Sequence, residues 1–200
     1  MHFINNEVKN KKLYLSILLA VSTLLIVGCV QSSKEGLKRG NSIDYADYLP
    51  NKSTGVPGKF MIIVKGNRII IDHASYQPIA YTEGFKIGKE YIVESLTEVD
   101  LFKIKRHVSV GDVTTTTIDK TGSQKRCVFV EKLHSLTHRG EHYSGDIIHE
   151  KCTGVPFGKY DRYYKKGVGE IALVRYSNGE KREIPGYATV ANSYELKEKK

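Results

Sequence analysis

The chain has no tryptophan, two methionines, five prolines and three cysteines among its 200 residues. So few prolines beside 18 glycines exclude a collagen-like or polyproline scaffold. Three cysteines are too few for a small disulfide-dense framework. Long apolar runs are also missing, apart from one near the start. What is present, 40% hydrophobic and 26% charged residues, suits one modest domain with a buried core and does not suit a disordered chain. Lys and Arg number 31 against 22 Asp and Glu, a formal charge of +9. That excess favours acidic partners or anionic lipid but falls short of a histone-like tail.

Catalytic signatures are missing too. There is no Gly-x-Ser-x-Gly, no Ser-x-x-Lys, no Walker A loop, and no Gly-x-Gly-x-x-Gly, since Gly167-Val168-Gly169 lacks the third glycine and leads into a strand pattern. No cofactor is called for, and an enzyme is not expected. Paired carboxylates of the kind glycosidases use leave no trace in sequence, so that class stays open.

The one apolar run, Leu13 to Gly28, follows Lys9, Lys11 and Lys12 and stops at Cys29. Sixteen helical residues span roughly 24 Å, short of the roughly 30 Å hydrocarbon core, so a secretory signal peptide fits better than a permanent span. Its end, Leu25-Ile26-Val27-Gly28-Cys29, resembles the lipobox of bacterial lipoproteins. The resemblance implies acylation of Cys29, cleavage before it, and a membrane anchor. Two or three acyl chains, at about 0.8 kcal/mol per buried CH₂, make release rare. Residues 1–28 then form the signal peptide and 29–44 a lipidated, flexible tether. The β domain covers 45–195 and a charged tail 196–200. The expected location is the bacterial cell envelope, and with Val30 after Cys29, the periplasmic face of the outer membrane in a Gram-negative host.

Removal of residues 1–28 takes away three Lys and one Glu and leaves a formal +7. Two cysteines remain besides Cys29, in a compartment where disulfides persist, so Cys127 and Cys152 are expected to pair.

Strand signals dominate the rest. Phe60, Ile62 and Val64 alternate with Met61, Ile63 and Lys65, and Gly66-Asn67 turns the chain into Arg68–Asp72. Tyr91–Val93, Leu101–Val110, Val113–Ile118, Cys127–Val130, Ile147–Cys152, Glu170–Tyr176 and Tyr187–Tyr194 follow as strands, with turns at Gly111-Asp112, Lys120–Gly122 and Ser177–Gly179. No window shows a convincing 3.6-residue apolar period. The expected fold is all-β: a single antiparallel, strongly curved sheet or partly open barrel with little helix.

Two clusters invite chemistry. His134, His138 and His142 are spaced by four, with His149 and Cys152 close behind, but Thr137, Gly140, Ser144 and Gly145 favour turns among them. In an extended strand a separation of four puts side chains about 13 Å apart, too far for one metal. They are expected as hydrogen-bonded histidines in a surface loop; a metal-dependent envelope hydrolase or metal-binding factor is the alternative reading. In the second cluster, Tyr160, Tyr163 and Tyr164 interleave with Arg162, Lys165 and Lys166, a mixture that stacks on sugars and attracts anions. The competing reading is a strand whose tyrosines pack on neighbours while its cations face water.

Asp47-Tyr48-Leu49-Pro50, Gly58-Lys59-Phe60 and Tyr163-Tyr164-Lys165-Lys166-Gly167-Val168-Gly169 resemble the opening and closing segments of TapB-like small periplasmic lipoproteins, with Phe60 where those have tryptophan. The likeness implies an open, curved antiparallel sheet and supplies no catalytic residues. A non-enzymatic, membrane-anchored domain is expected, binding anionic lipid, a cell-wall glycan or an envelope protein, and not nucleic acid.

Overall fold

The computed structural model describes residues 42–73, 82–96, 99–118, 124–154 and 158–198. Cys29, the lipobox and the Lys120–Gly122 turn lie outside them. The strands are β1 (Ile43–Asp44), β2 (Thr54–Val56), β3 (Phe60–Lys65), β4 (Arg68–Asp72), β5 (Thr82–Ile87), β6 (Tyr91–Leu96), β7 (Val99–Lys105), β8 (His107–Val108), β9 (Val113–Ile118), β10 (Gln124–His138), β11 (Glu141–Gly154), β12 (Gly158–Lys165), β13 (Gly169–Ser177) and β14 (Glu180–Pro185). One helix, α1 (Tyr187–Glu198), follows. Twelve strands form one antiparallel sheet in the order β14-β13-β12-β11-β10-β9-β7-β6-β5-β4-β3-β2, and β1 pairs with β8 apart from it. The fold is mostly β, as the alternation demands, and hydrogen bonds do not join β14 to β2.

Period-two patterning decides which side chains enter the core. Phe60 and Ile62 of β3, Ile69 and Ile71 of β4, Phe85 of β5, Ile92 of β6, Ile104 of β7, Phe129 of β10, Ile148 of β11 and Tyr164 of β12 belong to one buried cluster with Tyr187, Ala188 and Ala191 of α1. Turn chemistry sets the register. Gly66 at φ 59° links β3 to β4, and Asn178-Gly179, at φ 51° and 80°, links β13 to β14.

The structure corrects the expected strand at Tyr187–Tyr194, which is helix. Tyr187, Ala188, Ala191 and Tyr194 recur at helical spacing, and Ala, Glu, Leu and Lys are good helix formers. Two of the four stripe residues are alanines, so the stripe is narrow and hard to see beside the β-favouring Thr189 and Val190. Helix α1 lies against β2, β3 and β13. Its last turn includes Leu196 and Lys197, which the sequence assigns to the tail, and Ile43-Asp44, assigned to the tether, pair with His107-Val108.

The histidine segment is also corrected. It is no loop: β10 and β11 form a long hairpin closed by Arg139-Gly140, both at positive φ (53° and 78°). Register shifts between Phe129 and Glu131 and between Leu133 and Ser135 bend it. Its tip reaches β14, where the Arg139 amide donates to Glu183 Oε2 at 3.0 Å.

Candidate functional site

Alternation along β12 decides the fate of the Tyr160–Lys166 segment. Cross-strand pairing aligns Cys127, Cys152 and Tyr160 in one row and Phe129, Glu150 and Arg162 in the next. Tyr160, Arg162 and Tyr164 therefore point into the core. Arg162, which both sequence readings left at the surface, is 5% exposed. Tyr163 takes the opposite face, half-buried and stacked on His149 at 4.5 Å between ring centroids. Lys165 is half-buried, and Lys166 is exposed and ion-paired with Asp47 at 3.2 Å. Their side chains are not brought together on one surface.

Arg162 belongs to a buried ionic cluster. Its Nε donates to Glu170 Oε2 at 2.6 Å, and its guanidinium lies 3.6 Å from Glu94 Oε1. Glu94 also accepts from Lys125 Nζ at 2.6 Å. The Lys125 ammonium sits 4.6 Å from the Phe102 ring centre, and the Arg162 guanidinium carbon 4.9 Å from that of Tyr164. Glu150 accepts from the Tyr45 hydroxyl at 3.0 Å. Burial raises the Glu170 carboxyl above its usual range, with Arg162 opposing the shift. Burial, with the Glu150 carboxylate beside it, also holds the Tyr45 hydroxyl far above the ordinary phenol range, against the opposing pull of Arg162. The cluster holds two cations and three carboxylates, so buried Lys125 and Arg162 contribute nothing to the positive excess at the surface. Sequence reasoning missed it, because Glu94, Lys125, Glu150 and Glu170 sit far apart in the chain and meet only through sheet register.

Cys127 and Cys152 are directly paired across β10 and β11, with Cα atoms 4.1 Å apart, and form a disulfide. The histidines behind them are dispersed. His149 is buried, Nδ1 3.1 Å from Glu131 Oε1 and Nε2 3.3 Å from Asp161 Oδ2. His138 Nε2 bonds the Ile184 carbonyl at 2.9 Å, His142 is exposed beside Thr137, and His134 lies in the second register shift of β10. Among the described residues, the one group of three candidate metal donors within reach of each other is Cys127, Glu150 and Cys152. The disulfide consumes both of its sulfurs.

Lys166 lines a cleft of about 400 Å³ beneath the β12–β13 turn. Its lining is mixed: Leu49, Val64, Ile69 and Ile87 supply apolar side chains, and Asp47, Asn51 and Lys166 polar ones. Backbone bonds from Gly167 N to Asp47 O (2.7 Å) and from Asn51 N to Gly167 O (3.3 Å) tie its two sides together. No protein-family model, curated protein or solved structure matches the chain.

Proposed function

We propose that the protein is a lipid-anchored, non-enzymatic domain of the bacterial envelope whose β-sheet displays cations to an anionic partner. The observation that carries this reading is the Cys127–Cys152 bridge. It suits an oxidising compartment and leaves Cys29, at the end of the apolar run, as the single cysteine outside it. The lipobox resemblance supplies the anchor and the TapB-like segments suggest the same cellular setting.

The sheet in this reading is rolled into a partly open barrel, with α1 across the gap. The support is metric. Strands lie about 4.8 Å apart, so ten strand spacings separate β2 from β13 by roughly 48 Å in a flat sheet. A 12-residue helix is roughly 18 Å long, yet α1 touches both. The interior cluster holds more carboxylates than cations, so it takes nothing from the positive excess of the processed chain at the surface. That sign favours acidic glycans or headgroups as partners.

Acyl labelling in cells tests the anchor. Cys29→Ser should carry no fatty acid and accumulate as uncleaved precursor; a variant still labelled would overturn the anchored reading. For the binding role, the full chain in neutral detergent should retain anionic envelope material with an affinity that falls as salt rises, and salt-insensitive retention would refute it.

A further inference from the structure

Cross-strand register places the surface cations in a line. On β3, β4 and β5, Lys65 faces Arg68 and Arg68 faces Lys86. Lys86 faces Val93 of β6, which faces Lys103 of β7. The Ile104↔Thr115 pair continues the row to β9, where Thr116 faces Arg126 of β10. Arg126 faces Thr153, which faces Lys159, then Tyr176 and finally Lys181 on β14. Every cation in this row is exposed. Among the described residues Lys65, Arg68, Lys86, Lys103, Arg126 and Lys159 have no ion-pair partner, and Lys181 shares Glu183 at 2.8 Å.

Like charges directly opposite one another across a sheet destabilise it. Lys65, Arg68 and Lys86 make two such contacts in succession with no carboxylate between them. From Lys86 onward, a cation stands on every second strand. At about 4.8 Å per strand, Lys86, Lys103, Arg126, Lys159 and Lys181 repeat roughly every 10 Å over about 40 Å.

We infer that this row is a binding track for a linear anionic glycan carrying one acidic group per disaccharide. An extended glycan of that kind presents charges singly and periodically, whereas a headgroup plane presents them over an area. The inference rests on the rolled-sheet reading above: a row that follows a curved outer face can be traced by a flexible chain, while a flat bilayer meets only part of it. Exposed Tyr176 stands within the row, between Lys159 and Lys181, as a stacking surface for a sugar ring.

Hyaluronan oligosaccharides, with one carboxylate per disaccharide, serve as the probe for the full chain in neutral detergent. Affinity should rise with length and level off near the decasaccharide, whose five carboxylates match the five evenly spaced cations. Binding should weaken steeply with salt. Lys103→Gln/Arg126→Gln should lower decasaccharide affinity by about tenfold and reduce the salt slope by roughly two. Lys52→Gln/Lys197→Gln, the same charge change away from the row, should alter it less than about twofold. Arg68→Gln should lower affinity yet raise the melting temperature, because it removes two like-charge contacts; a purely structural role would lower both. Equal losses from the two double variants, absence of length dependence, or preferential binding to phosphatidylglycerol vesicles would overturn the track. Those results leave acylation of Cys29 untouched, and an unacylated protein that passes the glycan test would defeat the anchor alone.

Discussion

Arg162 is flanked in its strand by Tyr160 and Tyr164, both buried, and its guanidinium is held between Glu170 and Glu94. Removing a buried cation strands the carboxylates that it compensates, and that cost exceeds what the ion pair itself contributes. Arg162→Ala should destabilise the fold by about 3–5 kcal/mol in chemical denaturation, and adding Glu170→Gln should recover part of the loss. Equal midpoints for the single and double variants would argue against an Arg162–Glu170 coupling. Tyr160 and Tyr164 could be assigned inward from alternation alone. Arg162 shares their parity, but an arginine's default is the surface, and only the distant Glu94 and Glu170 reverse it.

At the scale of elements, α1 docks where Gly169 opens β13. Gly169 sits at φ 105°, and a Cβ there would come within 2.6 Å of the Tyr187 ring and 2.9 Å of Pro50. Gly179, at φ 80° in the β13–β14 turn, has open space around it. Gly169→Ala should therefore lower the melting temperature well beyond Gly179→Ala, where backbone strain of roughly 1–2 kcal/mol is the whole cost. Equal effects would mean that α1 is not tightly seated on β13. The β3–β4 hairpin was legible because Gly66-Asn67 interrupts two alternating apolar runs. The β10–β11 hairpin was not, because its turn, Arg139-Gly140, lies among polar residues and register shifts break the alternation on its strands.

For the molecule as a whole, the Cys127–Cys152 bridge spans 25 residues across neighbouring strands, beside the Glu150 carboxylate of the ionic cluster. In the chain-entropy picture, Cys127→Ala/Cys152→Ala should cost about 3 kcal/mol, read as a lowered denaturant midpoint. The wild-type midpoint should fall similarly under strong reductant, while the variant should be insensitive to it.

Local chemistry determined most of the strands and several turns, because residue propensity and parity act within a few positions; the cysteine count and the basic surplus were legible from composition. Tertiary structure alone decided that Arg162 enters the core, that the Tyr187–Glu198 helix touches strands distant in sheet order, and that scattered lysines and arginines fall into one row. Those outcomes depend on which strands become neighbours and in what register. That choice is made by the burial of many side chains at once, and no short stretch of sequence contains it.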